Sequence, residues 1–213
     1  MTFLNYKVEI IDNFLSDRDF EELNNLKLEK KLNTKISVFN NIINKNNEIE
    51  NSCLNKNLIF NLHKNYHEKM INIFNKLNPK KVDLYDYSDL SIIITDKNAK
   101  FPVHDDTPNK LLSGVIYLKP EKNCGTIFFK KKNGKKNEVI DWKQNRGVFF
   151  SRIERKTWHT FQGDGVSDRV ALVYNLNTTK ISDVFKVEEK NYFFGNLRYK
   201  INPYLNRYLN FTI

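Results

Sequence analysis

From Val82 to Leu176 the chain reads as short apolar segments at 82–87, 90–95, 111–118, 125–131, 136–141, 147–151 and 168–176, each bounded by turn-forming residues. Closely spaced strands of this kind are the signature of a β-sandwich or barrel. The sharpest local signal is IFFKKKNGKKNEVI, where Asn133-Gly134 predicts a two-residue type I′ hairpin turn. Lysines flanking such a turn ordinarily protect an edge from further pairing.

Ahead of this region, Val8, Ile10 and Ile11 predict a strand. Ser16 with Asp19 then forms a capping-box-like start for a helix over 16–28, with Phe20, Leu23, Leu26 and Leu28 as its apolar stripe. Residues 33–54 are Asn-rich and weakly patterned, an irregular excursion with one short strand. Leu58, Leu62, Tyr66, Met70, Ile73 and Leu77 recur at helical spacing, predicting a helix over 56–77 that stops at Asn78-Pro79. The aromatic-rich tail is expected to pack back on the sheet or on a partner. A length of 213 residues without a Pro/Gly/Ser-rich linker suits one domain, with residues 1–80 supporting a core at 82–176 and 177–213 as an extension. The first thirty residues lack signal-peptide order and no apolar run spans a bilayer, so a soluble, cytoplasmic protein without membrane contact is expected. Cys53 and Cys124, far apart and outside any CxxC pair, read as buried residues or inert thiols. The net charge of +10 accompanies a Lys/Asn-rich composition but no arginine–aromatic stripe, which weighs against a dedicated polyanion site.

The chemistry concentrates at FPVHDDT, residues 101–107. In extended backbone His104 and Asp106 project to one side and Asp105 to the other. His159 follows the apolar strand GVFFS, and Arg169 opens RVALVYNL. Two imidazoles and a carboxylate, two of them from one HxD, make the facial triad of non-haem Fe(II) oxygenases, with the other face open. Alternation places Arg169, Ala171, Val173 and Asn175 on one face of their strand and Val170, Leu172, Tyr174 and Leu176 on the other. A guanidinium matches a carboxylate in two-pronged geometry, so a co-substrate with a chelating end and a distal carboxylate, such as 2-oxoglutarate, suits the space between metal and arginine. His63 and His67 share a helix face but lack the glutamate of zinc-protease helices, and read as structural or surface residues.

The ordered set of an N-terminal strand and helix, HxD, YLK, CGT, RGVFF, WH and an arginine ten residues on resembles the 2-oxoglutarate and Fe(II)-dependent dioxygenase superfamily, most of all its prolyl-hydroxylase-like branch. The resemblance covers the opening IIDNFLSDRDFEEL and about 82–176. It implies a mainly β fold with supporting helices and a double-stranded β-helix (jelly-roll) core. It further implies Fe(II) on His104, Asp106 and His159, O2 as oxidant, and 2-oxoglutarate with its distal carboxylate on Arg169 and Tyr117. Hydroxylation of a prolyl residue or a small metabolite is the expected activity, with Trp158 and Arg152 as candidates for the substrate side. Three positions depart from the pattern. Cys124-Gly125-Thr126 replaces a frequent Gly-Gly pair, and Ile94 stands near where a tyrosine is common. Asn175 replaces the second arginine of the nucleobase-repair relatives, which disfavours a nucleic-acid substrate. A cupin-like metal enzyme without 2-oxoglutarate and a non-catalytic jelly-roll protein binding an anionic ligand are the alternatives. The protein or small-molecule partner and the oligomeric state are not set by the sequence.

Overall fold

The computed structural model describes residues 4, 6–32, 34–135 and 137–209. Strand β1 (Val8–Ile11) leads into helix α1 (Asp17–Asn24), where the Ser16 hydroxyl accepts the Asp19 N–H at 3.2 Å as the capping pattern predicts. The helix ends four residues before Leu28. The carbonyls of Asn24 and Leu26 turn to the Lys119 ammonium (2.9 and 3.4 Å) instead of continuing a helical ladder.

Residues 33–54 hold three short strands where one was expected: β2 (Ile36–Phe39), β3 (Asn41–Asn44) and β4 (Ile49–Ser52). Asn41 explains why apolar alternation did not reveal them. Its buried amide donates to the Leu90 carbonyl (2.7 Å), and its Oδ1 accepts the Cys53 and Leu54 N–H groups (2.9 and 3.0 Å). Both cysteines are free and Cys53 is exposed, contrary to burial. Helix α2 (Lys56–Leu77) starts on an Asn55 cap and stops at Asn78-Pro79 as expected. A 3-10 helix over Pro79–Leu84 then replaces the strand expected at 82–87. Buried Lys81 draws this segment inward, donating to the Arg152 carbonyl at 2.5 Å.

The remaining strands are β5 (Tyr87–Thr95), β6 (Lys110–Lys119), β7 (Thr126–Phe129), β8 (Asn137–Ile140), β9 (Gly147–Ser151), β10 (Trp158–Phe161) and β11 (Arg169–Asn177), followed by helices α3 (Ile181–Val187) and α4 (Tyr192–Leu209). Residue 136 and the last residues of the extension, 210–213, lie outside the described residues. Phe129 pairs with Asn137, so β7 and β8 are not joined by a two-residue turn; the Gly134 N–H reaches the Lys131 carbonyl (2.9 Å) in a longer connection.

Two antiparallel sheets result. The larger runs β1-β9-β6-β11-β5-β3-β4 with β2 also on β5, and the smaller runs β10-β7-β8. Even-numbered β11 residues Val170, Leu172, Tyr174 and Leu176 join Leu90, Ile92 and Ile94 against Leu58, Leu62, Met70 and Phe74 of α2, which buttresses this face. The opposite face meets the smaller sheet through Tyr117, Phe128, Ile140, Val148 and Phe150. Gly125 lets β7 close on β8, since a Cβ there would lie 1.8 Å from the Ile140 carbonyl oxygen.

Candidate metal centre

His104 and His159 face each other across an isolated antiparallel bridge that places the HxD segment beside β10. The His104 Nδ1 lies 3.0 Å from the Pro102 carbonyl and the His159 Nδ1 3.0 Å from the Thr157 carbonyl. A carbonyl only accepts, so each Nδ1 carries the proton and each Nε2 presents its lone pair. A ligand atom from each of His104, Asp106 and His159 lies within 4.8 Å of the others. Asp105 projects the other way, accepting from Arg198 (3.1 and 2.8 Å) and from the Arg155 N–H (2.9 Å). The strand alternation read from HDD therefore holds.

Asp106 is buried, with the Lys110 ammonium on Oδ1 (2.8 Å) and the Ser113 hydroxyl on Oδ2 (2.5 Å). Burial pushes its carboxyl up, but Lys110 and the two imidazoles pull it well below the usual carboxylate range. Burial and the neighbouring His159 hold His104 down to about 3. Two imidazoles presenting Nε2 and one ionised carboxylate are a donor set that fits a divalent first-row ion.

A cavity of about 260 Å³ adjoins the triad between the sheets, lined on β11 by Arg169, Ala171, Val173 and Asn175, the face that alternation assigned. The Arg169 guanidinium is surrounded by the Phe161, Trp142 and Tyr117 rings, 4.7, 5.1 and 5.8 Å away. Its Nη1 is buried without a hydrogen-bond partner among the described residues. An unpaired buried guanidinium nitrogen in a cavity fits an incoming carboxylate. Tyr117 is fully buried beneath it, and its hydroxyl already engages Thr126, at 2.7 Å to Oγ1 and 3.0 Å to the N–H. Ile94 turns to the helix side, and Ile93 and Thr95 are the β5 residues facing the cavity.

A second, outer pocket, of about 290 Å³, shares Phe101, His104, Asp106 and Lys110 with this cavity and is walled further by Pro108, Arg152 and, from α4, Arg198, Tyr199 and Asn202. Arg152 thus reaches this pocket, but its guanidinium is spent internally. Nε donates to the Asp106 carbonyl (3.0 Å), Nη1 to Glu188 (3.0 and 3.1 Å) and Nη2 to Glu154. Trp158 lines neither space; its indole N–H donates to the Arg155 carbonyl (3.0 Å). His63 is buried between α2 and the sheet, bonded to the Tyr174 hydroxyl (2.9 Å) and Asn47 (3.1 Å), which is a structural placement. Sequence reasoning missed Lys110 and Ser113 as partners of Asp106. Alternation along β6 would have put Ser113 on the cavity face, whereas nothing local signals Glu188.

No family model matches the sequence, and no curated protein matches it. Solved structures do match in fold. A prolyl-4-hydroxylase from Pseudomonas putida aligns over 82% of this chain and 94% of its own at a TM-score of 0.55 and 12% identity. An oxidoreductase of the 2OG-Fe(II) oxygenase family from Burkholderia pseudomallei aligns over 80% and 84% at 0.58 and 13%. IDO from Bacillus thuringiensis aligns over 81% and 90% at 0.59 and 13%. The chain has a 2OG-Fe(II) oxygenase-like fold, mainly β with a jelly-roll core and supporting helices.

Proposed function

We propose that this protein is an Fe(II)- and 2-oxoglutarate-dependent dioxygenase that hydroxylates a C–H bond of its primary substrate. The observation that carries this reading is the buried, unpartnered Arg169 Nη1 at a cavity whose wall also holds His104, Asp106 and His159. His104, Asp106 and His159 would hold the iron and Arg169 the distal carboxylate of 2-oxoglutarate, with the Tyr117 hydroxyl reaching that carboxylate alongside Thr126. Bound there, iron and 2-oxoglutarate would supply oxidising chemistry from O2, with succinate and carbon dioxide as the co-products.

The chain's own contribution is orientation and exclusion of water. The Pro102 and Thr157 carbonyls aim both imidazoles, and Ser113 fixes the carboxylate plane. Phe101, Phe150, Phe161, Ile93, Val115 and Val173 keep the cavity apolar. The outer pocket, which also touches His104 and Asp106, is where we place the primary substrate. One structural neighbour is named a prolyl-4-hydroxylase, which makes a prolyl side chain in a peptide the first substrate to try and a small metabolite the second. Anaerobic titration of the Fe(II)-loaded protein with 2-oxoglutarate, followed by succinate release in air, tests the reading. Iron binding with no response to 2-oxoglutarate in spectrum or product would point instead to a metal enzyme that does not use it.

A further inference from the structure

Lys110 lines both the inner cavity and the outer pocket, and its ammonium donates to Asp106 Oδ1 at 2.8 Å. Asp106 is the one carboxylate of the triad, so a divalent ion and this ammonium compete for the same negative charge. A second anionic partner stands nearby. Asp89 and Asn175 oppose each other on β5 and β11, and Asn175 in turn opposes Ser113, whose hydroxyl holds the other Asp106 oxygen. Asp89 Oδ1 accepts from Asn40 (2.7 Å) and Ser91 (2.6 Å). The Asn175 Oδ1 is buried at a cavity-lining residue and has no hydrogen-bond partner among the described residues. Burial pulls the Lys110 pKa down, but Asp106 and, to a smaller extent, Asp89 hold it above the ordinary lysine value, while burial pushes the Asp89 carboxyl up.

We propose that Lys110 is a two-position cation: it neutralises Asp106 while the centre is metal-free, and turns to Asp89 and the Asn175 carbonyl when a divalent ion takes Asp106. The inference rests on the metal reading above and adds a positioning residue to it. The orphaned oxygen then has its donor, and the ammonium leaves the metal's neighbourhood without being stranded. Metal affinity becomes a balance between two acceptors for one lysine.

The test is Mn(II) binding to the full chain, measured by EPR of free ion under anaerobic conditions. Lys110→Met should bind Mn(II) roughly tenfold more tightly than wild type, because the competitor is gone. Asn175→Leu should bind roughly tenfold more weakly, because Lys110 has lost its second position. In the Lys110→Met background Asn175→Leu should have no further effect. Lys110→Gln, which keeps a polar side chain, should follow Lys110→Met. A Lys110→Met protein that binds no tighter than wild type, or an Asn175→Leu effect that persists without the lysine, overturns the proposal while leaving the metal site standing. Absence of Mn(II) binding in wild type and every variant removes both.

Discussion

His104 and His159 donate their backbone N–H groups to each other's carbonyls at 3.0 and 2.8 Å, and their rings lie 4.3 Å apart. The two imidazoles are therefore spaced by a β-ladder contact and not by the conformation of a loop. Rigid backbone under both side chains is what a preorganised coordination site requires. The third member, Asp106, reaches the same place from two residues beyond His104.

The two aspartates of HDD should behave oppositely. Asp106→Ala removes a proposed ligand and the carboxylate charge beside the two imidazoles, so Mn(II) or Co(II) binding should be lost or greatly weakened. Asp105→Ala should keep the metal and instead loosen α4, because Asp105 holds Arg198 at 2.8 Å. Metal titration and proteolysis near residue 198 separate the two. Equal loss of metal in both variants would show the carboxylate to be misassigned.

Glu188 is the anion on which a buried cluster depends. It accepts from Lys81, from Arg152 (3.0 and 3.1 Å) and from the Glu154 N–H (2.8 Å), and both partner side chains and its own are almost wholly buried. Glu188→Ala leaves two buried cations short of a counter-charge and should cost about 3–5 kcal/mol in urea unfolding. Pairing Glu188→Leu with Lys81→Met should restore part of that loss. Additive losses in the double variant would argue against a coupled network.

What the sequence revealed and what it concealed follow from how each contact is specified. The inner and outer faces of β11 were legible because alternation is a property of one strand, and Arg169, Ala171, Val173 and Asn175 do line the cavity. His104 and Asp106 were legible because they are two residues apart, and Ser16 because capping is local. The strands held by the Asn41 side chain were not legible, since a side-chain amide supplies bonds that apolar periodicity does not record. Nor was the 3-10 helix at Pro79–Leu84, where Lys81 is drawn in by Glu188 far along the chain. Lys110 escaped notice for a third reason: its pairing with Asp106 depends on how the chain turns into β6.

Acid should destabilise the fold through His63. Burial, with neighbouring His67 adding to it, pushes this imidazole down to about 4 from an ordinary value near 6.5. A depressed histidine stays neutral when folded while the unfolded chain takes up a proton. Stability is therefore unaffected above pH 6.5 and falls as pH drops from there towards 4. The full shift corresponds to about 3 kcal/mol, which solvent screening reduces to about 1–2 kcal/mol. Urea midpoints for wild type and His63→Gln between pH 7 and pH 4 should converge as the pH falls. Parallel curves would mean that His63 does not titrate in this window.

The proposed use of 2-oxoglutarate rests on Arg169. Its guanidinium sits among three aromatic rings with Nη1 unpartnered, so a carboxylate arriving there gains a charge-assisted pair in a water-poor site. Deleting one partner of such a pair leaves the other desolvated, at about 2–5 kcal/mol. Arg169→Ala should thus raise the 2-oxoglutarate concentration needed for succinate release by roughly thirtyfold to several thousandfold, at about 1.4 kcal/mol per decade. Metal binding should survive, because Arg169 is not among the triad side chains. Lysine at the same position should recover part of the loss, since it keeps the charge but not the two-pronged geometry. Anaerobic titration of the iron-loaded variants with 2-oxoglutarate reads binding separately from turnover. If Arg169→Ala binds 2-oxoglutarate as well as wild type does, the distal carboxylate is held elsewhere and the assignment of this cavity is wrong.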